Sequence, residues 1–163
     1  MKFDNSKVRR QDRLLDEARA REILASAEYG ILSMIDLDGK PYGVPLNFVW
    51  DEEGDCIYFH CAPEGKKLDI LERRDCVSFC VVGKVNLQSS QFTTEYESII
   101  ITGETTICTG DEERMLALEL LLKKLSPHDL EIGMRYAQRS FYRTCIVRLD
   151  IDSWSGKCKR VNR

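Results

Sequence analysis

No apolar run in this chain approaches the roughly 20 residues that a bilayer-spanning helix needs. The opening MKFDNSKVRRQDRLLDEARA also lacks the continuous apolar segment of a secretory signal. Membrane insertion and export are set aside, and the expectation is a soluble, cytoplasmic protein. Basic charge is not in excess: 24 Lys and Arg stand against 27 Asp and Glu, for a net charge of −3. This argues against a nucleic-acid binder held by bulk electrostatics, so any bound anion must be met by a local cluster of cations. Histidine is scarce, and neither His60 nor His128 has a second histidine or a carboxylate at ligand spacing, so no metal site is expected. The cysteines, Cys56, Cys61, Cys76, Cys80, Cys108, Cys145 and Cys158, contain no C-x-x-C pair and are odd in number, which speaks against a disulfide framework and a zinc knuckle. Most sit in apolar, strand-like runs and read as small buried hydrophobes. Both the P-loop pattern and G-x-G-x-x-G are missing, so a nucleotide fingerprint is absent.

What is present is ordinary globular material: 163 residues, 43% hydrophobic and 31% charged, enough for one domain with a real core. The whole chain, 1–163, is read as that domain, with residues 1–15 a flexible or partner-contacting arm. Glu17–Ala27 has a helical stripe at Ala20, Ile23, Leu24 and Ala27 behind a candidate N-cap, Asp16. Tyr29–Asp36, Tyr42–Trp50 and Cys56–Cys61 read as a three-stranded meander, turning at Asp38-Gly39 and Asp51–Gly54. Gly65–Arg74 is a short helix and Cys76–Val82 a buried strand. Val85–Thr94 is polar and Gln/Ser-rich, a loop or frayed strand, and Ser98–Cys108 is a long strand with a glycine bulge at Gly103. Thr109–Glu112 has a capping-box pattern that opens a helix to about Leu125, stopped by Ser126-Pro127. A short helix at Asp129–Arg139 and a last strand at Thr144–Ile151, running into Ser153–Lys157, complete the chain. Antiparallel strands with helices inserted at intervals predict an α+β protein on a small barrel.

The stretch richest in chemistry is Gly39–Leu68, GKPYGVPLNFVWDEEGDCIYFHCAPEGKKL. Gly43-Val44-Pro45-Leu46-Asn47 offers main chain to a planar ligand, although an ordinary edge strand with a proline explains it as well. His60, at a strand end, is a candidate proton donor, a metal or haem ligand, or a histidine bonded to a carbonyl. Lys66 and Lys67 open a helix, where the macrodipole disfavours cations unless an anion compensates; the alternative is a solvated face. Trp154-Ser155-Gly156-Lys157 either completes a cofactor pocket or closes a hairpin with Trp154 as a core plug. The acidic pairs Asp51-Glu52 and Asp111-Glu112 read as turn and cap residues.

In their order and separation, YGILSMIDLDGKPYGVPLNFVW, IYFHCAPEGKKLDIL, YESIIITGETTI with the helix DEERMLALELLLKKL, and IVRLDIDSWSGK resemble the pyridoxamine 5′-phosphate oxidase-like proteins. The nitroimidazole-resistance (Nim-type) branch is the nearest likeness. The resemblance implies a six-stranded antiparallel split β-barrel with flanking helices, a homodimer, and FMN in clefts at the subunit interface. It implies that the backbone of Val44, Pro45, Leu46 and Asn47 faces the flavin ring and that Lys66 and Lys67 hold the phosphate. Ser98, Trp154 and Lys157 would contribute to the cofactor pocket, and His60 would lie beside the flavin as the catalytic residue. The implied activity is electron transfer from a reduced nicotinamide or another donor to a small planar acceptor such as a nitroaromatic. A non-catalytic carrier or sensor of flavin or haem is the alternative. SGKCKRVNR lacks the Arg-rich ending that vitamin B6 oxidases use on their substrate, so that activity is not expected.

Overall fold

The computed structural model describes residues 1–161. Its strands are β1 (Lys2–Phe3), β2 (Tyr29–Ile35), β3 (Pro41–Asn47), β4 (Val49–Asp51), β5 (Cys56–Cys61), β6 (Cys76–Gln88), β7 (Thr93–Ile107) and β8 (Cys145–Lys159). Helices α1 (Glu17–Ser26), α2 (Lys66–Leu71), α3 (Asp111–Leu125) and α4 (Leu130–Ser140) lie between them. The strands form one sheet in the order β3-β2-β6-β7-β8-β5-β4, antiparallel throughout, with β1 added in parallel to β8.

The two ends of that path, β3 and β4, are neighbours in the chain, joined by Phe48 alone. A sheet whose first and last strands are tethered by one residue must curl, and the result is a split β-barrel of an α+β protein. The expected six strands become eight because Tyr42–Trp50 breaks at Phe48 and Lys2–Phe3 adds a short strand. The break is forced: β3 pairs only with β2 and β4 only with β5, so one chain segment serves two sheet edges.

Inward-facing residues follow the period-two alternation of each strand. Leu32, Phe48, Ile57, Phe59, Phe79, Ile99, Ile101, Val147, Leu149 and Trp154 fill the barrel. Phe48 and Phe79 meet edge to face with centroids 5.1 Å apart. Lys124 of α3 lies over the Phe48 ring at 3.9 Å and reaches Leu24 O at 3.4 Å; its burial lowers the ammonium pKa to about 8. Cys56, Tyr58, Cys108, Ala117, Leu118, Leu121, Ala137 and Ile146 make a second core, between β5, β8 and the α3–α4 pair.

Local chemistry explains most element ends. Asp16 caps α1 by accepting the Arg19 N–H at 2.8 Å, as the sequence implies. The capping box at Thr109 does not form: Gly110 is the N-cap of α3, without a side-chain cap bond, and Asp111, Glu112 and Glu113 instead place acids in the first turn. The irregularity expected at Gly103 falls on the partner strand: Thr102 and Gly103 face Ser153 and Ile151, so the extra residue is Asp152 of β8, and a Cβ on Gly103 would stand 1.9 Å from Asp150 O. Of the two readings of Val85–Thr94, loop or frayed strand, the strand holds. β6 and β7 continue past the barrel as a two-stranded ribbon that turns at Ser89–Gln91 and carries Leu87 and Phe92, 77% and 97% exposed, near its tip. The segment through Trp154 does not turn back as a hairpin but continues β8 to Lys159. Residues 2–15 lie against this strand, through the β1 pairing, an Asn5 side chain bonded to Gly156 N and Leu15 O, and the buried Leu15.

One outer face of the sheet is apolar. Pro45, Ile31, Cys80, Ile100 and Ser155 form a row in direct register across β3, β2, β6, β7 and β8. Tyr29, Ile35 and Val82 are exposed on the same face.

Candidate functional site

The sheet is interrupted where β3 faces β5. β3 is an edge strand, so Pro45 costs no ladder hydrogen bond there, and alternate backbone groups of β3 point away from β2 into the split. Val44 and Leu46 pack inward on the barrel core, while Pro45 and Asn47 point outward, Asn47 donating to Glu28 O at 2.9 Å.

Helix α2 starts beside this opening. Gly65, at φ 127°, ψ 162°, occupies a backbone region that side chains rarely adopt, and it delivers the chain into the first turn without a side-chain cap bond. The two lysines that follow have different fates. Lys66 donates to Asp36 Oδ2 at 2.9 Å and lies 4.6 Å from the Tyr42 ring centroid. Asp36 is 6% exposed and fully engaged, because its other oxygen accepts the N–H groups of Asp38 and Lys40. Lys66 beside it holds the Asp36 carboxyl below its ordinary pKa, and Asp36 in turn raises the Lys66 ammonium. Lys67 lies 5.8 Å from the Phe59 ring and has no carboxylate at ion-pair distance among the described residues.

His60 follows Phe59 on β5 and faces the other way, onto the side covered by α3 and α4. Its ring makes no hydrogen bond with the described residues. Desolvation, and then the charge of Lys67, pull its pKa below the ordinary value, so the imidazole is neutral at neutral pH. It lines a groove of about 440 Å³ walled by α3 and α4.

The structure therefore brings Lys67, Phe59 and His60 together beside the edge of the split and commits Lys66 to Asp36. Ser98 and Lys157 are directly opposite each other on β7 and β8, on the apolar outer face. Trp154 is 2% exposed inside the barrel, edge to face with Phe3 at 4.9 Å, and its indole N–H finds no acceptor among the described residues. Asp36, Tyr42 and the α3–α4 groove were not singled out from the sequence. Only the Asp-x-Asp-Gly turn hinted that Asp36 had a local role, and nothing in the chain announced its distant lysine. All seven cysteines are free, and burial pushes Cys56 and Cys145 up to about 11 and Cys108 to about 12, which keeps these thiols protonated. Among the described residues no group of three His, Cys, Asp or Glu side chains is placed to hold a metal, and no helix is long and apolar enough to cross a membrane.

The family model described as pyridoxamine 5′-phosphate oxidase matches residues 16–158. None of the curated proteins matches the chain. Several solved structures share the fold. A candidate 5-nitroimidazole antibiotic resistance protein from Bacteroides thetaiotaomicron is 23% identical over 90% of this chain and 86% of its own, with a TM-score of 0.71. An FAD-binding protein from Mesorhizobium loti is 20% identical over 91% and 98%, with a TM-score of 0.62. An FAD- and haem-binding protein from Mycobacterium smegmatis is 19% identical over 93% and 75%, with a TM-score of 0.71.

Proposed function

The chain belongs to the pyridoxamine 5′-phosphate oxidase family, and on that footing we propose a dimeric FMN-dependent oxidoreductase of the nitroimidazole-resistance type. It passes electrons from a reduced nicotinamide or another donor to a small planar acceptor such as a nitroaromatic. The observation that carries this reading is Lys67: an ammonium without a carboxylate partner among the described residues, set in the uncapped first turn of α2 beside an open sheet edge. A phosphate there would satisfy both the cation and the free N–H groups of the turn.

Bound FMN supplies the two-electron chemistry. The protein's share is positional. Lys67 neutralises the phosphate, and Lys66, already paired, ties α2 to the β2–β3 turn through Asp36. The free edge of β3 offers backbone donors and acceptors to a planar ring. His60, neutral at neutral pH, offers one ring N–H and one lone pair to an acceptor lying against it.

The apolar row Pro45-Ile31-Cys80-Ile100 supports the dimer, since a contiguous apolar sheet face is seldom left to water. A second copy seated there would meet Ser98 and Lys157, and the Leu87–Phe92 tip of the ribbon extends beyond the barrel as a further exposed contact. Purified protein tests the reading: near-UV and blue flavin bands, bleached by NADH or NADPH and restored by a nitro compound, are expected. Flavin bands that no donor bleaches leave a carrier, a Soret band in their place identifies a haem protein, and colourless protein that takes up no flavin overturns the proposal.

A further inference from the structure

We propose that the groove between α3 and α4 is the acceptor site, and that it selects an uncharged aromatic molecule whose electron-rich oxygen substituent turns toward His60. This rests on the oxidoreductase reading above.

The groove's volume of about 440 Å³ falls in the usual range of small-molecule sites. Its walls are carbon: Leu118, Leu121, Leu122 and Leu125 from α3, Ile132 and Tyr136 from α4. The floor is closed, because α4 packs on α3 so tightly at Gly133 that a Cβ there would stand 2.6 Å from Leu122 Cδ2. A ligand therefore enters from the rim, where Ile132 and Tyr136 are exposed.

The two ends differ. Asp129 is the N-cap of α4 and Ser140 its last residue, so along an 11-residue helix they stand about 16 Å apart. Ser140 shares its end with Thr144 and His60; β5 and β8 pair there, His60 opposite Ile146. That end has a neutral imidazole with the Lys67 charge beside it, while the Ser140 and Thr144 hydroxyls already donate to the carbonyls of Tyr136 and Ser140. The far end carries Asp129, the one carboxylate of the lining, and the lining contains no lysine or arginine. An anion would bury its charge among leucines with no cation in the wall. A neutral aromatic ring buries apolar area along the groove, and a nitro or carbonyl oxygen meets the ring N–H of His60 while avoiding Asp129.

The test is a calorimetric titration of the purified protein with nitrobenzene and with 4-nitrobenzoate, alongside methyl NMR. Nitrobenzene is expected to bind at least about ten-fold more tightly, shifting the methyl signals of Leu118, Leu122 and Ile132 and leaving those of Ile31 and Ile100 on the outer face unmoved. Ile132→Glu, at an exposed rim position, should weaken nitrobenzene binding by about ten-fold or more with flavin content and thermal melting unchanged. Equal affinity for the two compounds, an indifferent Ile132→Glu, or shifts confined to the outer face overturns the proposal. Flavin loading and nitrobenzene turnover without groove shifts removes the groove and keeps the oxidoreductase. Groove shifts in a protein that takes up no flavin keep the ligand site and remove the oxidoreductase.

Discussion

The β6–β7–β8 wall and the β3/β5 split belong to one barrel, yet they are closed by different means. In the wall, β7 runs paired on both sides for most of its length, with one register shift against β6 at Val82–Val85 and one against β8 at Gly103, where the backbone lies against Asp150 with no room for a side chain. At the split no ladder forms, and the edges are held by Phe48, by barrel side chains and by the Lys66–Asp36 pair. Hydrogen bonding fills the wall and leaves nothing for a ligand. The split keeps backbone groups and one unpaired cation within reach of solvent, which is where a binding site can be built without unfolding the protein.

That contrast breaks if wall substitutions spare stability or split substitutions abolish it. The largest effect is expected from Gly103→Val: the side chain collides with backbone that cannot swing aside, and the loss should reach about 4 kcal/mol or more, read as a collapse of the urea midpoint. Trp154→Ala opens a cavity in the barrel and should cost about 3–5 kcal/mol in the same measurement. Lys67→Ala should leave the melting temperature nearly unchanged and weaken FMN by about 1–3 kcal/mol, the worth of hydrogen bonds to a charged group, measured by fluorescence titration. Lys66→Ala is the reverse case, since it strands the buried Asp36 carboxylate and should act on stability first.

Two smaller effects are pH-dependent. The folded Lys124 ammonium has its pKa lowered from 10.5 to about 8, so between those values the unfolded chain holds more protons and stability should climb with pH. Lys124→Met should flatten that rise. The lowered pKa of His60 has the same sign at a different place: stability should fall as pH drops below its ordinary value of 6.5, and His60→Gln should remove the dependence, both visible in urea titrations across pH.

The wall was more legible in the sequence than the split. Ser98–Cys108 announced β7 because its β-branched residues Ile99, Ile100 and Ile101 lead into an alternation of outward Thr102, Glu104 and Thr106 with inward Gly103 and Thr105. Val85–Thr94 stayed open between loop and frayed strand because most of its residues keep solvent contact, so burial imposes no period to read. The break at Phe48 was also invisible: β-branched and aromatic residues run through Tyr42–Trp50, and only the sheet's closure separates it into two partners' strands. At the site, the Gly-Lys-Lys start of a helix could be found from dipole chemistry. Which lysine is free could not, because the deciding carboxylate, Asp36, lies 30 residues away in the chain.

The single-residue tether at Phe48 also constrains what lengths the family member can tolerate. Side chains alternate with parity two along a strand, so inserting one residue between Phe48 and Val49 would exchange the inner and outer sides of β4 while β3 kept its own. Val49 would then surrender its place beneath α3, and Trp50 its seat under Arg21. A two-residue insertion preserves parity and merely slackens the seam, so natural or engineered variation at this joint should come in even steps.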